Sequence, residues 1–147
     1  MQELGPLARR RRVTLTVVLP QKPVLLISDR FMLHFCLLRM LENACEFTHD
    51  GEVTLRVSCI DDRVRFEIVD NGVGIDPAVL STLFVAFTQA DEAPTRRHEG
   101  AGVSLAVCKH FCDLLGGRLE ASSEPGRGST FVLALPSHPS RSVPAGR

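Results

Sequence analysis

The stretch best suited to chemistry is Asp70-Asn71-Gly72-Val73-Gly74-Ile75-Asp76. An ionised Asp70 is an acceptor-only group. Gly72 and Gly74 can take backbone angles closed to other residues and, lacking side chains, would let a flat ligand come close. A carboxylate beside bare backbone suits an exocyclic amine such as that of adenine. The same residues also suit an Asp-Asn-Gly turn that holds nothing, so their surroundings must decide. Three further sets qualify. Arg39, Asn43 and Glu46 are four and three residues apart and share one polar stripe on an otherwise apolar helical segment. That stripe reads either as a solvent-facing edge or as the edge of a ligand site, and a mid-helix Asn, a poor helix former, favours the second. Gly100-Ala101-Gly102 opens an amphipathic pattern, and uncovered amides at a helix start bind phosphate. Residues 88–99, which include Arg96, Arg97 and His98, form a polar segment too long for an ordinary connection and read as a lid.

The bulk properties describe the body that carries these groups. A chain of 147 residues is long enough for one domain with a proper core. Hydrophobic residues make up 44% and charged residues 23%, and 17 acids balance 17 Lys plus Arg. No global field therefore favours nucleic acid or an anionic membrane. Trp and Tyr are absent, which argues against a base-stacking platform for single strands. No apolar run is long enough to span a bilayer, and the N-terminal residues do not have a signal-peptide pattern. Five cysteines fit no zinc spacing; they read as small buried hydrophobes in a reducing compartment.

The elements that position the groups follow from periodicity. Residues 1–12 read as a polar linker ending in four arginines. A strand over about residues 13–19 and a second short strand or extended segment over 24–27 precede a helix of about residues 30–47, capped by Ser28 or Asp29. Strands over about 52–59 and 63–69 make a hairpin that delivers Asp70, with Val64, Phe66 and Ile68 as its apolar side and Arg65, Glu67 and Asp70 read as its polar side. A short helix from Pro77, the lid, a helix from Gly100 to the Gly116-Gly117 stop, and a closing hairpin over 118–135 complete the domain. Residues 137–147 read as a disordered tail. The economical packing is an α/β (α+β) two-layer sandwich, a mixed, mostly antiparallel sheet with about three helices on one face.

In this order the pieces resemble the ATP-binding catalytic domain of sensor histidine kinases, within the superfamily of type II topoisomerase and mismatch-repair ATPases. Residues 41–48 resemble the family's asparagine box, 70–75 its first glycine box, 83–89 its phenylalanine box, 100–105 its second glycine box, and 114–131 its closing hairpin. The resemblance covers roughly residues 13–136 and implies a Bergerat-type ATP-binding fold. It implies that Asp70 accepts from the adenine amine, with Thr130 near it through a water, and that Gly72, Gly74 and Ile75 border the base. Asn43 would hold Mg²⁺, a neutral oxygen ligand suited to a hard cation that keeps its waters. Gly100 and Gly102 would offer amides to the phosphates, Leu105 of the same box would bind the cofactor with them, and Phe84 and Phe87 would anchor the lid. ATP and Mg²⁺ are the implied cofactors. A histidine-containing dimerisation domain and a response regulator are the implied partners, in the cytoplasm, with no nucleic acid and no membrane contact.

Departures from the pattern concern the phosphate end. Arg39 stands where the family commonly has another Asn, Glu46 where it has Lys or Arg, and Ser104 where a third glycine is usual. One expectation is a charge swap in which Arg39 supplies the cation and pairs with Glu46. The phospho-accepting histidine is expected outside this chain, since residues 1–12 cannot hold a helical hairpin and His49-Asp50 and His98-Glu99 lie in a turn and the lid. No catalytic residue is therefore assigned within it. Two alternatives stand beside the kinase reading. One is a degenerate module with weak or no nucleotide binding that works through protein interaction. The other is a self-contained ATPase, ranked last because Arg39 occupies the position of that class's general base.

Overall fold

The structure, a computed structural model, describes residues 4–82 and 96–138, with the backbone alone over 96–104. Phe84, Phe87 and most of the expected lid lie outside the described residues. The elements run α1 (Gly5–Arg11), β1 (Thr14–Val18), α2 (Arg30–Glu46), β2 (Glu52–Ile60), β3 (Arg63–Asp70), α3 (Pro77–Leu80), α4 (Arg96–Leu114), β4 (Arg118–Glu124) and β5 (Gly128–Pro136). One sheet of order β1-β2-β3-β5-β4 pairs β1 with β2 in parallel and every other neighbour antiparallel. This is the expected mixed sheet with a helical layer.

Local chemistry explains the boundaries. The Asp29 carboxylate accepts the Met32 N–H at 2.8 Å and starts α2 as an N-cap. Asp61 and Asp62 both have positive φ, which matches the twist of the β2–β3 hairpin. At the end of α4, Gly116 takes a φ of 75°, while the Gly117 N–H reaches the Cys112 carbonyl and the Gly116 N–H that of Asp113. These are the paired bonds of a glycine-terminated helix.

The core lies between the sheet and the helices. Val53, Val64, Phe66, Ile68, Phe131, Leu133 and Leu135 alternate inward along three central strands and meet Cys36, Met40, Ala44, Leu105, Cys108 and Cys112 of α2 and α4. Cys36 and Cys108 mark where these helices come close. The Cys36 thiol donates to the Cys108 carbonyl at 3.6 Å, and the Cys108 thiol to that of Cys36 at 3.9 Å.

Three expectations need correction and one open choice is decided. Residues 5–11 form a helix rather than a linker; Leu4 and Ala8, one turn apart, are buried against the core while the arginines face outward. Of the two readings of residues 24–27, strand or extended segment, the structure shows no strand; Val24 and Leu26 pack against the core and the Ile27 N–H bonds the Ser137 carbonyl. Ser137 itself is buried and its N–H reaches the Asp62 carbonyl, so the domain includes the first residue of the expected tail. Asp70 has the parity of Val64, Phe66 and Ile68, not that of Arg65 and Glu67, and is 5% exposed on the helix-covered face.

Candidate functional site

β3 ends by pointing its last side chain, Asp70, under the helical layer, and the chain then turns back across the end of α2. The turn is tied by the Val73 N–H to the Phe47 carbonyl, the Gly126 N–H to the Val73 carbonyl, and the Glu52 N–H to the Asn71 side chain. The glycines serve this knot of backbone. A Cβ on Gly72 would come 2.1 Å from the Phe47 carbonyl oxygen, and one on Gly74, whose φ is 79°, 2.4 Å from that of Glu124. Gly128, with a φ of 119°, would meet the Asp70 carbonyl at 2.0 Å. The expectation that Gly72 makes room for a ligand is therefore corrected. It makes room for α2.

Beside the knot a cavity of about 270 Å³ opens, walled by Asn43 and Ala44 of α2 and its C-cap Phe47, Val73, Gly74, Ile75 and Asp76 of the turn, Val79 of α3, Leu105 of α4, and Ser129 and Phe131 of β5. Asp70 lies among these mostly apolar walls. Burial pushes its carboxyl above the usual carboxylate range. Backbone N–H groups of Gly72, at 2.9 Å, and Ser129 oppose that rise by favouring the charged form. The Thr48 hydroxyl adds to them, although it stands outside hydrogen-bond geometry and has no partner among the described residues. A buried acceptor in an apolar slot selects a flat ligand that offers a donor at one edge.

Asn43, Asp70, Gly74, Ile75 and Leu105 are thus brought together, while Gly72, Thr130 and Arg39 do not line the cavity. Gly72 backs the wall without lining it. Thr130 pairs with Val69 and Ser122 and lines a neighbouring open groove that shares Asp70 and Ser129 with the cavity; Ser129, opposite Asp70, lines both. Ser129 was recoverable from the sequence, because it shares the parity of buried Phe131. Arg39 does not line the cavity. Its guanidinium bonds Glu42 and lies 5.0 Å from the Phe35 ring centroid, while Glu46 is held by Arg11 of α1 at 3.0 Å, so the expected Arg39–Glu46 pair does not form. α4 begins at Arg96, four residues before the expected start, which leaves Gly100 and Gly102 inside the helix. From the fifth residue on, helix amides are used by the helix itself. His49 bonds Asp50 at 2.8 Å in an exposed turn.

No cluster of three His, Cys, Asp or Glu able to hold a metal occurs among the described residues. A lone amide oxygen at Asn43 fits a cation that keeps waters and is shared with ligand oxygens, as Mg²⁺ is, rather than one caged by protein. No helix among the described residues is long and apolar enough to cross a membrane.

A β-strand that delivers a buried carboxylate beneath a helix bearing an asparagine, on a mixed five-stranded sheet, agrees with the comparisons to known proteins. The chain belongs to the family of histidine kinase-, DNA gyrase B- and HSP90-like ATPases, whose sequence profile matches residues 28–139. Within it the similarity is to sensor histidine kinases. Hybrid signal transduction histidine kinase B of Dictyostelium discoideum is 34% identical over 122 residues, 80% of this chain and 6% of that protein. Sensor histidine kinase AruS of Pseudomonas aeruginosa is 40% identical over 104 residues, 67% of this chain and 10% of that protein. The crystal structure of full-length ShkA in complex with AMPPNP superposes with a TM-score of 0.78 at 30% identity, covering 97% of this chain and 30% of ShkA. The chain spans only a small part of these relatives.

Proposed function

We propose that this chain binds ATP with Mg²⁺ and presents the γ-phosphoryl group to a histidine on a dimerisation domain, in a cytoplasmic two-component relay that ends on a response regulator. The observation that carries this reading is the buried Asp70 carboxylate at a mostly apolar cavity of about 270 Å³ that Asn43 of α2 also lines. Drug-sized ligand pockets run from about 300 Å³ upward, so this one suits the base, with the phosphates running out past Asn43. Asp70 would accept from the adenine amine, Ile75, Phe131 and Leu105 would exclude water around the ring, and Asn43 would give the cation one oxygen. The reaction itself needs little more from the protein than position and neutralised charge. Presenting amides from Gly100 and Gly102 would require the first turn and more of α4 to unwind.

A second reading, a degenerate module acting through protein interaction, is favoured by that same helical state of Gly100 and Gly102 and by Arg39 being engaged elsewhere. Calorimetry with ADP and a non-hydrolysable ATP analogue, with and without Mg²⁺, separates the two. Binding that Mg²⁺ strengthens, and strengthens less in Asn43→Ala, is the expected result. No heat at millimolar nucleotide would favour the second reading.

A further inference from the structure

Glu46 stands one turn beyond Asn43 on the same stripe of α2, and Asn43 is the wall residue past which the phosphates are proposed to leave the cavity. Side chains three apart on a helix are neighbours, so an uncompensated carboxylate here would repel a polyphosphate. Arg39, the cation earlier on the stripe, is occupied by Glu42 and Phe35. Arg11 meets Glu46 instead, Nη2 to Oε2 at 3.0 Å. It does so from a fixed base. Leu4 and Ala8 bury α1 against the core, the Val13 N–H reaches the Ala8 carbonyl, and the Arg11 carbonyl accepts the Asp50 N–H at 3.0 Å.

We propose that Arg11 is a specificity-determining residue for the charged end of the nucleotide, acting by neutralising Glu46 beside Asn43. The inference rests on the nucleotide reading above. It makes α1, which lies outside the part of the chain matched by the family, a component of the site's electrostatics. Exposed ion pairs add little to folding, so the pair's consequence should appear in ligand charge selection rather than in stability.

The test is calorimetry on the full chain with adenosine, ADP and Mg²⁺-bound AMPPNP, for wild type, Arg11→Ala, Glu46→Gln and the double variant. At the separations involved, Arg11→Ala should weaken AMPPNP about three- to tenfold, ADP less, and adenosine not at all. Adding Glu46→Gln should restore AMPPNP affinity, because the charge that Arg11 masked is gone. Equal weakening of adenosine and AMPPNP, or no weakening, overturns the inference while the nucleotide reading stands. Failure of Glu46→Gln to restore affinity also overturns it and assigns Arg11 a direct phosphate contact. A wild type silent toward all three ligands overturns the nucleotide reading and this inference with it.

Discussion

Asp70→Asn separates ligand binding from folding more cleanly than any other single change in this chain. The amide is isosteric, and its oxygen can still accept the Gly72 N–H that Asp70 Oδ1 accepts at 2.9 Å, so the turn keeps its tie. The other oxygen becomes an NH₂ group, and a donor then faces the donor edge of adenine. Losing a hydrogen bond to a charged group costs about 1.5–3 kcal/mol, roughly a 10- to 150-fold rise in Kd. Folding should respond with the opposite sign. Burial, opposed by the Gly72 and Ser129 amides, raises the Asp70 pKa in the folded state. The folded chain therefore holds the proton more tightly than the unfolded one. The contribution to stability is greatest when Asp70 is protonated, and it falls as pH rises from the ordinary carboxylate value of about 3.9 through the raised folded value. Asp70→Asn removes that decline. The expected outcome is a large loss of ADP binding by calorimetry, a melting temperature at neutral pH equal to or above wild type, and a flatter dependence of melting on pH. An Asn variant that binds ADP within about twofold of wild type would refute a contact between the carboxylate and the base. One that melts well below wild type would show that the carboxylate holds the fold instead.

Other outcomes follow from the same geometry. Ser129→Ala should weaken ADP several-fold, about 0.5–1.5 kcal/mol, and by more than Thr130→Ala, which lines only the neighbouring groove, in the same titration. Gly72→Ala should lower stability by about 1–3 kcal/mol in urea unfolding, since a Cβ there would press on the Phe47 carbonyl. Leu4→Ala should cost about 2–5 kcal/mol by the same assay if α1 is part of the core, and next to nothing if residues 1–12 were the linker their composition suggests.

Much of this fold could be read along the chain because local rules and tertiary packing agree. Alternation located β2, β3 and β5, the Ser28-Asp29 pair announced α2, with Asp29 the cap that forms, and Gly116-Gly117 ended α4 as their types require. Asp70 and Ser129 were also within reach, since each shares the parity of buried neighbours, Ile68 and Phe131, and parity decides which face a residue meets. α1 was not, because a seven-residue helix with Ala8 buried, and Leu4 buried at its N-cap, carries too little periodicity against its three arginines. The partners of Glu46 and Arg39 were hidden for a different reason. The stripe they share is a local property, but the choice of Arg11 depends on α1 docking beside α2, a contact between residues 35 apart. The glycines illustrate a third limit: sequence marks where a Cβ is forbidden, and only the structure says whether ligand or backbone forbids it.

The five thiols allow one further use. Cys36, Cys45, Cys108 and Cys112 are buried, and Cys59 alone is exposed, on β2. Burial pushes the Cys45 and Cys112 thiols up to about 11, which suppresses their reactive thiolate. A maleimide dye should therefore attach at Cys59 without any substitution, away from the cavity. Cys36 and Cys108, which meet across α2 and α4, become a clock for motion: their labelling rate reads how often the two helices part. A ligand that bridges those helices through Asn43 and Leu105 should slow it.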